Sequence, residues 1–168
     1  MVISTSIAHR IPAGWYPDRD DRSRRRWWDG EQWTDHYAPA AEPVVEKGIV
    51  FGKGGTHELM LDLARPEQSN GLLPAIIYIH GGGWRYGDRS AHLKDAEAAA
   101  ERGYVAATVS YRLTNPDAMS KAKNPCPAQI EDVKGVVLGI RANADKYDVG
   151  PSRIGVTGGS AGGQLSLL

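Results

Sequence analysis

Leu59, Leu61 and Leu63 alternate with Glu58, Met60 and Asp62 in HELMLDLARP (57–66), a period of two that predicts a strand with one buried face, ending at Pro66. LPAIIYIH (73–80) lacks that alternation, and its continuous apolar run predicts a strand covered on both faces. SAHLKDAEAAAERG (90–103) predicts a helix, with Ser90 as its N-cap and Gly103 just past its end. YVAATVSY (104–111) again predicts a strand. From 127 to 147, Ile130, Val133, Val137, Ile140, Ala144 and Tyr147 recur at steps of three and four, which gives a helix one apolar face. RIGVTGGS then predicts a short strand running into a turn, and AGGQLSLL the start of a helix. Strands alternating with helices predict an α/β domain with a mostly parallel sheet flanked by helices.

The amino-terminal part follows another pattern. Trp15, Trp27, Trp28 and Trp33, four of the five tryptophans, crowd into residues 12–37, where large rings let a mini-domain build a core. WDGEQW predicts a tight Asp-Gly turn between short aromatic strands. Arg22, Arg24, Arg25 and Arg26 stand beside Asp18, Asp20 and Asp21, the composition of a solvated mixed-charge turn. APAAEPVVEK (38–47) has no periodicity and is expected to be an extended linker. The division expected is thus a tail (1–11), a small Trp-rich β module (12–37), the linker (38–47) and a second domain (48–168).

Charge changes this picture little. Lys+Arg and Asp+Glu are 20 each, and cutting the chain after residue 40 leaves six of each sign before and fourteen after, so no basic face for nucleic acid is expected. The longest apolar run, LLPAIIYI (72–79), is far shorter than the ~20 residues that span a bilayer. MVISTSIAHR lacks the apolar core of a secretory signal. The single cysteine, Cys126, excludes an internal disulfide, and together these features lead to the expectation of a cytoplasmic chain without a membrane partner.

Two glycine motifs carry chemistry. Gly158-Gly159-Ser160-Ala161-Gly162 fits G-x-S-x-G, a sharp strand-to-helix turn that pushes a serine hydroxyl out at the carboxyl edge of a sheet. His80-Gly81-Gly82-Gly83-Trp84 directly follows the strongest strand, and successive glycines let backbone N–H groups point into a cavity. FGKGG is not a phosphate loop, no dinucleotide fingerprint occurs, and the five histidines show no metal-ligand spacing; no cofactor and no metal are expected.

HGGGWRYGDRS, ERGYVAATVSYRL and PAQIEDVKGVVLGIRANADKYDVGPSRIGVTGGSAGG together resemble the α/β-hydrolase superfamily, in the branch of carboxylesterases related to hormone-sensitive lipase and the bacterial acetyl and feruloyl esterases. PAGWYPD, WWDG and QWT resemble a short bacterial domain of unknown function. The first resemblance implies a serine hydrolase acting on a small-molecule carboxylic ester, with Ser160 as nucleophile and the backbone N–H groups of Gly82, Gly83 and Ala161 as oxyanion donors. It implies that His80, with Gly81, supports the glycine loop, that Trp84 and Tyr86 wall the pocket mouth, and that Asp132 is a solvated or loop-anchoring carboxylate. In this fold the triad acid and histidine follow the serine in the chain. Residues 161–168 contain neither, and His57 or His92 could stand in only through a rearranged topology. The expectation is therefore a partial hydrolase domain whose later strands are missing, inactive on its own. Two alternatives stay open: a non-catalytic protein whose Trp-rich module recruits a protein partner, and a serine peptidase of the same fold.

Overall fold

The computed structural model describes residues 11–21, 23–69, 71–114 and 123–168, in two units, 1–41 and 42–168. Most of the expected tail, with His9, and Arg22 of the arginine cluster lie outside the described residues.

The first unit is an antiparallel meander of β1 (Gly14–Pro17), β2 (Arg24–Trp28) and β3 (Trp33–Pro39). Two aspartates make its turns. Asp18 accepts the N–H of Asp20 at 2.8 Å and of Asp21 at 3.1 Å, and Asp29 accepts those of Glu31 and Gln32, both at 2.8 Å. Gly30 supplies the left-handed residue, at φ 106°, that closes the second turn. Trp33 is held between ring edges, with Tyr16 at 5.9 Å and Trp28 at 5.2 Å. The arginine cluster departs from the solvated turn expected for it, because Arg24, Arg25 and Arg26 form the middle strand. There Arg24 lies 4.1 Å over the Tyr37 ring and pairs with Asp18, and Arg26 pairs with Asp35. The expected linker is shorter than 38–47: β3 runs through Pro39 and the next strand starts at Val44, since Val44, Val45 and Glu46 find partners in Arg65, Ala64 and Leu63.

The second unit contains β4 (Val44–Gly54), β5 (His57–Arg65), β6 (Leu73–Ile79), α1 (Leu93–Ala100), β7 (Val105–Val109), α2 (Ala128–Ala142), β8 (Val149–Gly158) and α3 (Ala161–Ser166). The sheet order is β4-β5-β7-β6-β8. β7, β6 and β8 run parallel, whereas β4 and β5 pair antiparallel, so the sheet is mixed. Leu61, Leu63, Ile77, Ile79, Val105 and Val109 face α2 and α3 in the larger core. On the other face, Ala64 and Ala106 meet Ala96, Ala99 and Ala100 of α1, small side chains that let the helix approach closely. β7 is buried on both faces. β6, expected to be so too, is fully buried only toward α2 and α3; Ile76 and Tyr78 on its other face are half-buried beside α1. Ser90 is not the N-cap either. A 3-10 turn over Arg89–His92 precedes α1, and Asp88 caps it by accepting the Ser90 N–H at 2.7 Å.

Candidate active site

β6 and β8 are parallel neighbours in a register that sets Ile79 beside Gly158, so the loop after one strand and the turn after the other leave the sheet side by side. That pairing brings the two glycine motifs together. Ser160 sits between β8 and α3 at φ 54°, ψ −120°, a conformation a non-glycine residue holds at a cost of about 1–3 kcal/mol. Local closure keeps it there: Gly162 N–H donates to Gly159 O at 2.9 Å and Gln164 N–H to Ser160 O at 3.0 Å.

The flanking glycines are required by contact. A Cβ on Gly158 would lie 2.5 Å from Ile79 O, and one on Gly162 would overlap Ile79 O and reach 2.8 Å from His80 O. Across the gap, a Cβ on Gly81 would be 3.0 Å from Gly159 O and 3.5 Å from the Ser160 Cβ. The turn therefore rests directly on the main chain of the glycine loop. Within that loop Gly82 (φ 111°), Gly83 (φ 59°) and Trp84 (φ 61°) are left-handed, and the N–H groups of Arg85 and Tyr86 both donate to Gly82 O at 3.1 Å. Among the described residues nothing accepts the backbone N–H of Gly82, Gly83 or Ala161.

His80 is 2% exposed and does not reach the serine hydroxyl. Its Nδ1 lies 2.7 Å from Gly81 O; a carbonyl only accepts, so Nδ1 carries the proton and the ring fixes the loop. Nε2 has no partner among the described residues, and burial pushes the imidazole below its ordinary range, toward the neutral form. Tyr111, just past β7, stacks on His80 with centroids 4.3 Å apart and donates its hydroxyl to His80 O at 3.1 Å. Burial raises the Tyr111 phenol to about 12. Its neighbour Arg112 ties the segment after β7 to α2, donating Nη2–H to Asp132 at 2.7 Å and its backbone N–H at 2.8 Å. Asp132 is buried, an anchor rather than a solvated carboxylate. Sequence reasoning passed over Tyr111 and Arg112, although a Tyr-Arg pair directly after a buried strand at the same sheet edge was the available signal.

A cavity of about 440 Å³ opens beside the loop, with Gly83, Trp84, Thr114, Cys126, Ile130 and Leu165 among its walls. Tyr86, expected at the pocket mouth, is 62% exposed and lines none of it. The other two histidines of the second unit lie elsewhere in the sheet and before α1. His57 opens β5, paired with Gly54 of the edge strand β4 on the side of the sheet opposite β8, and His92 is bonded to Asp95 at 2.6 Å and stacked on Tyr78.

Residues 61–168 match the BD-FAE family, well over half of the chain. The chain belongs to that family. Residues 13–46 match a second family, a protein of unknown function, DUF2510. Carboxylesterase NlhH of Mycobacterium tuberculosis is 33% identical over 118 residues, covering 70% of this chain and 35% of the relative. Bovine arylacetamide deacetylase is 31% identical over 130 residues, covering 74% and 31%. Among solved structures, the native Thermogutta terrifontis esterase Est2 superposes with a TM-score of 0.63 at 29% identity, over 76% of this chain and 43% of Est2. The esterase of Pyrobaculum calidifontis gives 0.61 at 33% identity, over 76% and 38%. This BD-FAE chain thus has the α/β-hydrolase fold that its motifs implied, preceded in sequence by a separate small β-sheet, and it spans about a third of the length of its curated relatives. Among the described residues no helix is long and apolar enough to cross a membrane.

Proposed function

We propose that Ser160 is the nucleophile of a carboxylic ester hydrolase. The observation that carries this reading is the contact between the strained serine turn and the side-chain-free face of Gly81, in a loop where the N–H groups of Gly82 and Gly83, like that of Ala161 in the serine turn, have no acceptor among the described residues. An ester carbonyl presented to Ser160 would place its oxygen among those donors. Oγ attacks the carbonyl carbon, the hydroxyl proton passes to a base, the alcohol leaves with a proton, and water then releases the acid from the acyl-serine. Each well-placed donor to the developing oxyanion is worth about 2.7–4 kcal/mol. Est2, a relative in fold and sequence, has been solved with butyrate and with propionate bound, which supports a carboxylic ester as the substrate class.

Among the described residues of the second unit no histidine is bonded to the Ser160 hydroxyl: His80 serves the loop, and His57 and His92 are placed as described above. Loss of the histidine from a serine triad lowers turnover by about 10⁶. This chain is therefore expected to release no p-nitrophenol from p-nitrophenyl acetate above the buffer rate. With a fluorophosphonate it should form a slow adduct at Ser160, accelerated by imidazole in solution as an external base and absent in Ser160→Ala. Intact-mass measurement reads this, and Est2 itself has been phosphonylated by cyclosarin. An adduct that persists in Ser160→Ala sinks the nucleophile assignment; robust turnover without imidazole sinks the missing base.

A second reading concerns the first unit alone. Trp15, Trp33 and Tyr37 are each about 40% exposed, which supports contact with a protein partner by this module.

A further inference from the structure

Strand pairing sorts the aromatic rings of the first unit onto two faces. Trp28 stands opposite Trp33, and Arg26, two residues before Trp28, stands opposite both Tyr16 and Tyr37, so these rings share one face. Trp15 and Trp27, opposite each other, share the other. The first face already carries a segment of the chain itself: Trp28 Nε1–H donates to Ile11 O at 3.1 Å and Tyr16 OH to Pro12 O at 2.8 Å. An indole and a phenol thus hold two consecutive main-chain carbonyls across an X-Pro step. Pro12 fixes its own φ and keeps Ile11 out of the helical region, which biases the held segment to polyproline II. Little else fastens it. Ile11 is 57% exposed, Pro12 is exposed, and both bonds lie at the surface, where the carbonyls of another chain can replace these at small net cost. Beside the two donors, Trp33 presents a ring that is 40% exposed, edge-on to Tyr16 and Trp28. Both cations of this face are neutralised, Arg24 by Asp18 and Arg26 by Asp35, so an acidic partner would have to displace a carboxylate. Rings with outward donors suit instead a polyproline II segment, whose carbonyls are all free and whose shape is set before binding.

We propose that the face of Tyr16, Trp28 and Trp33 recognises a proline-rich segment of a partner protein, with Ile11–Pro12 as an internal occupant that this segment displaces; the word protein here rests on the second reading of the first unit given above. Occupant and ligand use the same two donors. Loosening the occupant therefore tightens the ligand, in proportion to the fraction of chains whose face is set free.

The test titrates the full chain with acetylated decaproline amide and reads the tryptophan indole N–H resonances by heteronuclear NMR, assigned from single Trp→Phe chains. A Gly-Glu repeat of equal length is the flexible acidic counterpart. Decaproline should shift the Trp28 and Trp33 signals saturably and leave in place those of Trp15, on the other face, and Trp84, in the second unit. Pro12→Gly loosens the occupant and should tighten decaproline binding roughly two- to fivefold. Adding Tyr16→Phe to that chain should weaken binding again by roughly two- to tenfold, the worth of one hydrogen bond. Should Pro12→Gly lose the dispersed indole signals of a folded module, Ile11→Gly, at an exposed side chain, replaces it under the same expectation. No shift at Trp28, shifts confined to Trp15 or Trp84, unchanged or weaker binding in the loosened chain, or no weakening by Tyr16→Phe each overturns the proposal. Equal shifts with the acidic repeat overturn it too, yet leave the module a contact for protein. Silence with both peptides removes that second reading as well.

Discussion

Removing the Asp132 carboxylate tests how firmly the segment carrying Tyr111 and Thr114 is held. Asp132 is 2% exposed and the Arg112 side chain 15%, so both charges lie largely out of water. Arg112 reaches the carboxylate through its backbone N–H at 2.8 Å, through Nε at 3.0 Å to each oxygen, and through Nη2 at 2.7 Å. Breaking a buried pair by deleting one partner costs about 3–5 kcal/mol, because the surviving charge is left uncompensated. Asp132→Ala should fall at the lower end, about 3 kcal/mol, since Nη2 keeps Ala128 O at 3.2 Å and Glu131 at 3.3 Å. With a urea m-value of ~2 kcal/mol/M, the midpoint should drop by roughly 1.5 M. The assay is urea unfolding followed by circular dichroism at 222 nm, which reports the second unit because α1, α2 and α3 all lie there. The exposed Asp145→Ala serves as the reference. A midpoint within ~0.3 M of that reference would refute the claim that this ion pair anchors the segment, and a joint Arg112→Met, Asp132→Leu replacement should recover much of the loss.

Gly162→Ala should cost about 1–3 kcal/mol or more in the same assay, because its Cβ meets the main-chain carbonyls of Ile79 and His80 rather than a movable side chain; a neutral effect would mean the serine turn does not rest on the glycine loop. The pH dependence follows from His80, whose folded-state pKa lies below its unfolded value of 6.5. The stability it contributes is full above pH 6.5 and is lost as pH falls from there toward the lowered value. Urea midpoints at pH 7.5 and 5.5 should therefore differ more in the parent than in His80→Gln, and equal differences would show that His80 is not held neutral.

Much of this protein was legible along the chain. Period-two leucines placed β5, the three- and four-residue steps placed α2, and G-x-S-x-G after a strand placed the serine turn, because these signals are local and each residue states its own burial. Conserving that local logic, β4 escaped: Gly48, left-handed at φ 69°, makes a bulge, donates to Asp62 at 2.7 Å and breaks the alternation between Glu46 and Ile49. Sheet order lay beyond the sequence as well. Only the tertiary structure decided that β6 lies between β7 and β8, and that adjacency lets Gly81 face Ser160, Tyr111 clamp His80 and Ile130 wall a cavity with Trp84. Such contacts join residues 31 to 79 positions apart, and no local pattern encodes which strands become neighbours. The sequence determined which groups could do chemistry; strand pairing determined which of them meet.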